Sequence, residues 1–153
     1  MNIKSLALGG MIAALYAGVT VALAPISYGP VQLRVAEALT LLPFYIPAAI
    51  PGLFAGAIIA NAFSPYGALD MAVGSLASLT AAYLTRRMPN LWLATLPPIL
   101  VNAAAIGTML YFLIEEIPLW SIIFYVGAGQ AIACAVLGIP LMKALEKLKL
   151  VKR

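Results

Sequence analysis

Long uncharged runs broken by single charges or pairs set the pattern of this chain. Charges fall at Lys4, Arg34, Glu37, Asp70, Arg86, Arg87, Glu115, Glu116 and Lys143, and then in the tail. The stretches 5–33, 38–69, 71–85, 88–114 and 117–142 between them carry none. A bilayer core of about 30 Å is crossed by roughly 20 apolar residues in a helix. The first, fourth and fifth stretches each hold one such span. Stretch 38–69 is cut by Pro43, Pro47 and Pro51 and holds two elements, the first starting back at Leu33. Stretch 71–85 is short, but Arg86 and Arg87 can extend to the interface and complete it. The pattern predicts helices over 4–24, 33–46, 50–63, 70–87, 91–114 and 119–146. The second is too short for a full crossing at 1.5 Å per residue, so it enters the membrane partly or is covered by its neighbours. The expected fold is an all-α integral membrane protein, a six-transmembrane-helix bundle forming one domain over 1–153.

Composition narrows the reading further. Hydrophobic residues make up 64% of the 153 and charged residues 9%, against about 25% charged in a soluble domain; mean hydropathy is +1.05. A soluble globular enzyme, a disordered chain and a nucleic-acid binder are all excluded. The pI near 9.4 is explained by basic loops facing one side of a membrane. If the N-terminus is cytoplasmic, Lys4, Arg86, Arg87, Lys143, Lys147, Lys149, Lys152 and Arg153 all fall inside, eight of nine basic residues. The positive-inside rule therefore selects cytoplasmic N- and C-termini. A cleaved leader is disfavoured, because Pro25 would follow the cut after Ala22-Leu23-Ala24. With one cysteine, Cys134, and no histidine, neither an intrachain disulfide nor a zinc site is expected.

Polar groups at membrane depth are costly and usually functional. Arg34 and Glu37, three apart on one face at the outer start of the second helix, read as a ligand-binding pair or as an ion pair with each other. Asn61, Asn102 and Gln130 fall in the outer half or near the midplane. Their amides suit a polar heterocycle with donor and acceptor edges, or serve as interhelical glue. Asp70 is a candidate site residue or the N-cap of the fourth helix. Tyr28, in the outer loop Pro25–Pro30, could lay its ring over a planar ligand or simply mark a turn. Trp92, Trp120, Tyr45 and Tyr111 read as interface-belt residues, the methionines and Cys134 as packing, Glu115 and Glu116 as a solvated loop. The first helix carries two adjacent small-residue ridges, Gly10-Ala14-Gly18 and Gly9-Ala13-Ala17, able to serve an internal neighbour and an external partner. Gly52-Gly56-Ala60 and Gly74-Ser78-Ala82 read as internal packing. No phosphate-binding loop, HExxH motif, serine–histidine pair or carboxylate ladder is present, so no catalysis is expected.

The segment Ala24-Pro25-Ile26-Ser27-Tyr28-Gly29-Pro30, continuing through Gln32-Leu33-Arg34-Val35-Ala36-Glu37 to Leu42-Pro43, resembles the QueT family. These are substrate-binding membrane subunits (S components) of energy-coupling factor (ECF) transporters. The resemblance continues, collinear, through Pro47–Leu53, Ile59-Ala60-Asn61, Gly74–Leu79, Leu96-Pro97-Pro98 with Asn102, and Leu137–Leu141. It implies import of a queuosine precursor, a 7-deazaguanine such as the 7-cyano or 7-aminomethyl base, across the bacterial plasma membrane. It also implies a transmembrane coupling subunit and two ATPase subunits as partners, with ATP used by those subunits and no cofactor in this chain. The small-residue face of the first helix would dock the coupling subunit, through Gly10, Ala13, Ala14 and Ala17, and transport would involve toppling of the S component. Where relatives often carry an acid after the glycine of the sixth helix, this chain has Gly129-Gln130, which weighs against a cationic substituent. Two other readings stand beside this one: an S component for another vitamin, and a small membrane scaffold protein without a ligand.

Overall fold

The computed structural model describes residues 2–29, 32–114 and 116–152. Among them every regular element is helical. Helix α1 spans Ile3–Ala22, α2 Val35–Phe44, α3 Ala49–Asn61 and α4 Gly67–Arg87. Helix α5 spans Leu96–Leu113, entered through a turn at Leu93–Thr95, and α6 is one rod over Leu119–Lys147. Four of these, α1, α4, Leu93–Leu113 and α6, are long and apolar enough to cross a membrane; α2 and α3 are shorter. Large apolar side chains point outward along the bundle, among them Met11, Leu15, Leu76, Leu100, Phe124 and Val136, as lipid-facing walls require.

Two elements differ from expectation in ways that build the interior. Helix α2 is wound as a 3-10 helix, with Pro43 inside it. At about 2.0 Å per residue this winding is longer and thinner than an α-helix, and residues three apart eclipse one another. Arg34, Glu37 and Thr40 therefore share one row. Such a run is rarely stable alone; here packing holds it, since eight of its ten residues are buried. It is covered by α1, α3, α4 and α6. Opposite it, α6 widens into a π-wound stretch at Ile132–Gly138, and Gly138 lets the two backbones meet. A Cβ there would lie 3.2 Å from the Ala38 carbonyl oxygen.

Helix α4 begins at Gly67, three residues earlier than expected. Gly67 adopts a positive φ of 61°, and the Tyr66 amide donates to Ser64 Oγ to close the entry turn. Asp70 thus lies within the first turn and is no N-cap; its side chain turns inward.

The small-residue ridges divide α1 between two roles. Gly9, Ala13 and Ala17 are buried against α3, where Gly52 and Gly56 answer them. A Cβ on Gly52 would lie 2.6 Å from the Gly9 carbonyl oxygen, and one on Gly56 would lie 2.9 Å from that of Ala13. Gly10, Ala14 and Gly18 are exposed. At the opposite end of α2 from Arg34, Arg86 Nη1 donates to the Phe44 carbonyl at 2.9 Å, and Lys143 Nζ sits 5.8 Å from the Trp92 ring centroid. Basic residues of α4 and α6 thus share one end of the bundle. Trp92, Trp120 and Tyr111 are exposed, as belt residues should be, but Tyr45 is buried edge-on against Phe44. Glu116 is exposed, while Glu115 lies outside the described residues.

Candidate functional site

The polar residues singled out in the sequence converge on one buried cluster at the end of α2 away from the basic end. Its centre is the row presented by α2, and its walls come from four other helices. Glu37 is fully buried, and each of its carboxylate oxygens accepts a hydrogen bond. Tyr16 Oη, from the middle of α1, donates to Oε1. Asn102 Nδ2, from α5, donates to Oε2 at 3.4 Å. Gln130, from α6, stands close enough to act on the same carboxylate. A carboxylate whose two oxygens both receive donors is held as an acceptor, and its orientation is fixed from two sides.

Arg34 does not pair with Glu37. Its guanidinium reaches α3 and α4: Nη1 donates to Asn61 Oδ1 at 2.8 Å, and Nη2 forms a 3.1 Å ion pair with Asp70 Oδ2. Nε donates to the Ser27 carbonyl at 3.3 Å. The planar fork of arginine suits three acceptors at fixed angles, which a lysine cannot match. Asn61 Nδ2 in turn donates to the Asp70 carbonyl at 3.2 Å. Gly74 makes room for this pair, because a Cβ at that position would lie 2.6 Å from Asn61 Nδ2 and 2.8 Å from Asp70 Oδ1.

Tyr28 covers the Arg34 side of the cluster. Its hydroxyl donates to the Ala60 carbonyl, its ring centroid lies 5.4 Å from Arg34 Cζ, and Tyr66 Oη donates to its carbonyl at 3.3 Å. The loop after α1 is thereby fastened to the end of α3 and the start of α4. On the Glu37 side, Thr40 Oγ1 donates to the Glu37 carbonyl at 2.6 Å, and Cys134 Sγ contacts both Thr40 Oγ1 and that carbonyl at 3.7 Å.

All seven candidate ligand-site residues (Tyr28, Arg34, Glu37, Asn61, Asp70, Asn102 and Gln130) thus belong to one cluster. The pairing differs from that read in the sequence, with Asp70 rather than Glu37 as the partner of Arg34. Tyr16 was not singled out. The available signal was a phenol deep within an apolar span, far from either interface, where its hydroxyl must find a partner. Gln32, Ser27 and Ser75 are also buried polar residues not foreseen. Of the four candidate docking residues, Gly10 and Ala14 face outward, whereas Ala13 and Ala17 are occupied by α3 because close backbone approach there needs small side chains.

Polar atoms without partners remain inside the molecule. Among the described residues Asp70 Oδ1, Gln130 Oε1, Gln32 Nε2, Ser27 Oγ and Ser75 Oγ are buried with none. Such atoms are rare in interiors and call for an explanation, a ligand included. The bundle also carries an outward groove of about 700 Å³ between α4 and α5, lined by Leu69, Val73, Val101 and Phe112 among others. It is apolar and contains none of these groups.

No curated protein and no solved structure matches this chain. A family model described as QueT transporter matches residues 6–147, nearly its whole length. With the apolar bundle and its buried polar cluster, that match defines a membrane protein, and the chain belongs to the QueT transporter family.

Proposed function

We propose that this protein is the substrate-binding subunit of an ECF-type importer and that its ligand is a queuosine precursor, a 7-deazaguanine base. The observation that carries the reading is Glu37. It is a buried carboxylate at the centre of a bundle, held at both oxygens by neutral donors from two other helices. The amino and ring N–H groups of a guanine-like edge form a parallel pair of donors, matched to the two oxygens of a carboxylate. In binding, such an edge would exchange with Tyr16 or Asn102 for those oxygens. The base carbonyl requires a donor, which Asn102 or Arg34 supplies. Tyr28, over the Arg34 guanidinium, would cover the planar ring from the outer side.

In this reading the six helices lie in the bacterial plasma membrane with both termini in the cytoplasm, so the cluster lies towards the outer side, beneath Tyr28. The exposed ridge Gly10-Ala14-Gly18 of α1 faces the transmembrane coupling subunit, and two ATPase subunits supply the energy. The chain itself performs no chemistry. Toppling of the subunit in the membrane would carry the bound base inward.

The test is the mass of the ligand. Protein purified in detergent from cells supplied with 7-deazaguanines should retain a compound with the near-ultraviolet absorption and mass of one of them. A retained ligand of unrelated mass points to an S component for another vitamin. Failure of any 7-deazaguanine to bind the full-length purified chain in calorimetry would refute the base assignment.

A further inference from the structure

Surface charge is gathered at one end of the bundle. Lys4, Arg86, Arg87, Lys143, Lys147, Lys149 and Lys152 lie there, with Glu146 as the one acid among the described residues. The opposite end exposes Glu116 and, among the described residues, no basic side chain. Two of the cations sit on exposed aromatic rings. Arg87 Cζ lies 4.3 Å from the Tyr83 ring centroid, and Lys143 Nζ lies 5.8 Å from that of Trp92. Tryptophan and tyrosine settle at the level of lipid headgroups, so these two pairs mark where the headgroup layer meets the basic end.

Beyond Lys147 the chain folds back as a hook. The Leu150 amide donates to the Leu145 carbonyl at 2.9 Å and the Lys149 amide to the Glu146 carbonyl at 2.9 Å, the paired closure of a Schellman turn. Lys149 takes the left-handed position, with φ of 60°, a place that usually falls to glycine; here it adds a charge. Val151 is buried in the main core, against which Met88, Leu91 and Leu145 also pack. The hook leaves Leu148 66% and Leu150 67% exposed, flanked by Lys147, Lys149 and Lys152. Outward leucines within a collar of lysines match the boundary between acyl chains and charged headgroups.

We infer that the basic end is a binding surface for anionic phospholipid, with Leu148 and Leu150 dipping among the acyl chains and the surrounding lysines pairing with headgroup phosphates. Charge complementarity selects this occupant, because clustered Lys and Arg beside a membrane span attract anionic headgroups. A protein partner fits less well. Protein interfaces are depleted in lysine, yet five of the seven cations here are lysines, and Arg86 is already engaged with the Phe44 carbonyl. A lysine ammonium is a point charge on a flexible stem, able to follow mobile phosphates without a fixed geometry. The inference does not depend on which ligand the buried cluster binds.

The experiment uses indole quenching by lipids brominated in their acyl chains, with the full-length protein in vesicles of mixed phosphatidylglycerol and phosphatidylcholine. The chain has two tryptophans, so Trp120→Phe leaves Trp92 to report on the basic end and Trp92→Phe leaves Trp120 to report on the other. Trp92 should be quenched at least about threefold more effectively by brominated phosphatidylglycerol than by brominated phosphatidylcholine, and Trp120 should show no preference. The preference at Trp92 should fade as salt rises and vanish when Lys143, Lys147, Lys149 and Lys152 are all replaced by Gln. Equal quenching of Trp92 by the two lipids at low salt, with the lysines intact, overturns the inference. So does an equal preference for phosphatidylglycerol at Trp120. Leu150→Trp, with both native tryptophans replaced by Phe, tests the hook directly. Quenching by brominated phosphatidylglycerol supports its insertion. No quenching by either lipid means that the hook stands clear of the bilayer, open to a protein partner, and overturns its role as a lipid anchor.

Discussion

The Tyr16 hydroxyl on α1 donates to the Glu37 carboxylate on α2, so the helix that shows its small-residue ridge outward also holds the central acceptor of the buried cluster. A shift of α1 would be felt at Glu37 without any intermediary. Thr20 Oγ1, one turn on, donates to the Tyr16 carbonyl at 2.7 Å and fixes the same stretch of α1.

Removing the acceptor tests the centre of the site. A hydrogen bond to a charged group contributes about 1.5–3 kcal/mol, so Glu37→Gln should weaken ligand binding roughly ten- to a hundredfold in a folded protein. Tyr16→Phe should have a smaller effect, because Asn102 still orients the carboxylate. Unchanged affinity of Glu37→Gln in calorimetry, with monodisperse behaviour, would exclude it from the site.

The Arg34–Asp70 pair should also matter for stability. Breaking a buried pair from one side leaves the other charge uncompensated, at a cost of about 3–5 kcal/mol. Arg34→Ala should therefore lower the melting temperature in detergent markedly. Arg34→Lys should fall between the two, since it cannot reach Ser27, Asn61 and Asp70 together. Equal melting of Arg34→Ala and the unaltered protein would contradict this.

Gly74 makes a more local prediction. A methyl at that position would press on Asn61 Nδ2 and Asp70 Oδ1, forcing the pair apart. Gly74→Ala should lose ligand affinity, whereas Gly10→Ala, whose Cβ meets nothing within 4 Å, should bind as before. Matched titrations of the two variants check this, and equal affinities would remove Gly74 from any role in shaping the cluster.

The two ridges of α1 should separate stability from assembly. Ala13→Leu places a bulky side chain against Gly56 and should destabilise the isolated subunit. Ala14→Leu should leave its melting and its ligand binding unchanged, yet abolish co-purification with the coupling subunit. A normal complex from Ala14→Leu would locate the docking face elsewhere.

Gln130→Glu would add a second acid beside Glu37. It should raise the preference for the aminomethyl over the cyano base above that of the unaltered protein. An identical ratio of affinities would mean that Gln130 serves helix packing alone.

Most of the architecture was legible in the chain because lipid leaves few options. Apolar length between charges and prolines located α1, α3, α5 and α6 within a few residues, since a backbone in hydrocarbon must satisfy itself as a helix. Seven polar residues of the cluster were legible for the same reason, since few such groups occur at depth and these stood out against an apolar background, whereas Tyr16 read as one more aromatic of an apolar span. Hydropathy could not reveal which of them meet. Arg34 is three residues from Glu37 in the sequence but is paired with Asp70, 36 positions away, because the glycine turn at Gly67 starts α4 early and turns Asp70 inward.

Winding was equally hidden. Periodicity reports which residues face the interior, not how tightly the helix turns, and only the surrounding helices hold α2 as a 3-10 run that aligns Arg34, Glu37 and Thr40. The same holds for α1, whose two ridges are nearly identical in sequence. The sequence by itself determined the helices, the lipid-facing walls and the short set of polar residues between them. Tertiary structure decided which ridge is buried, which charges pair and which acceptors stay open, because those depend on backbone approach between helices far apart in the chain.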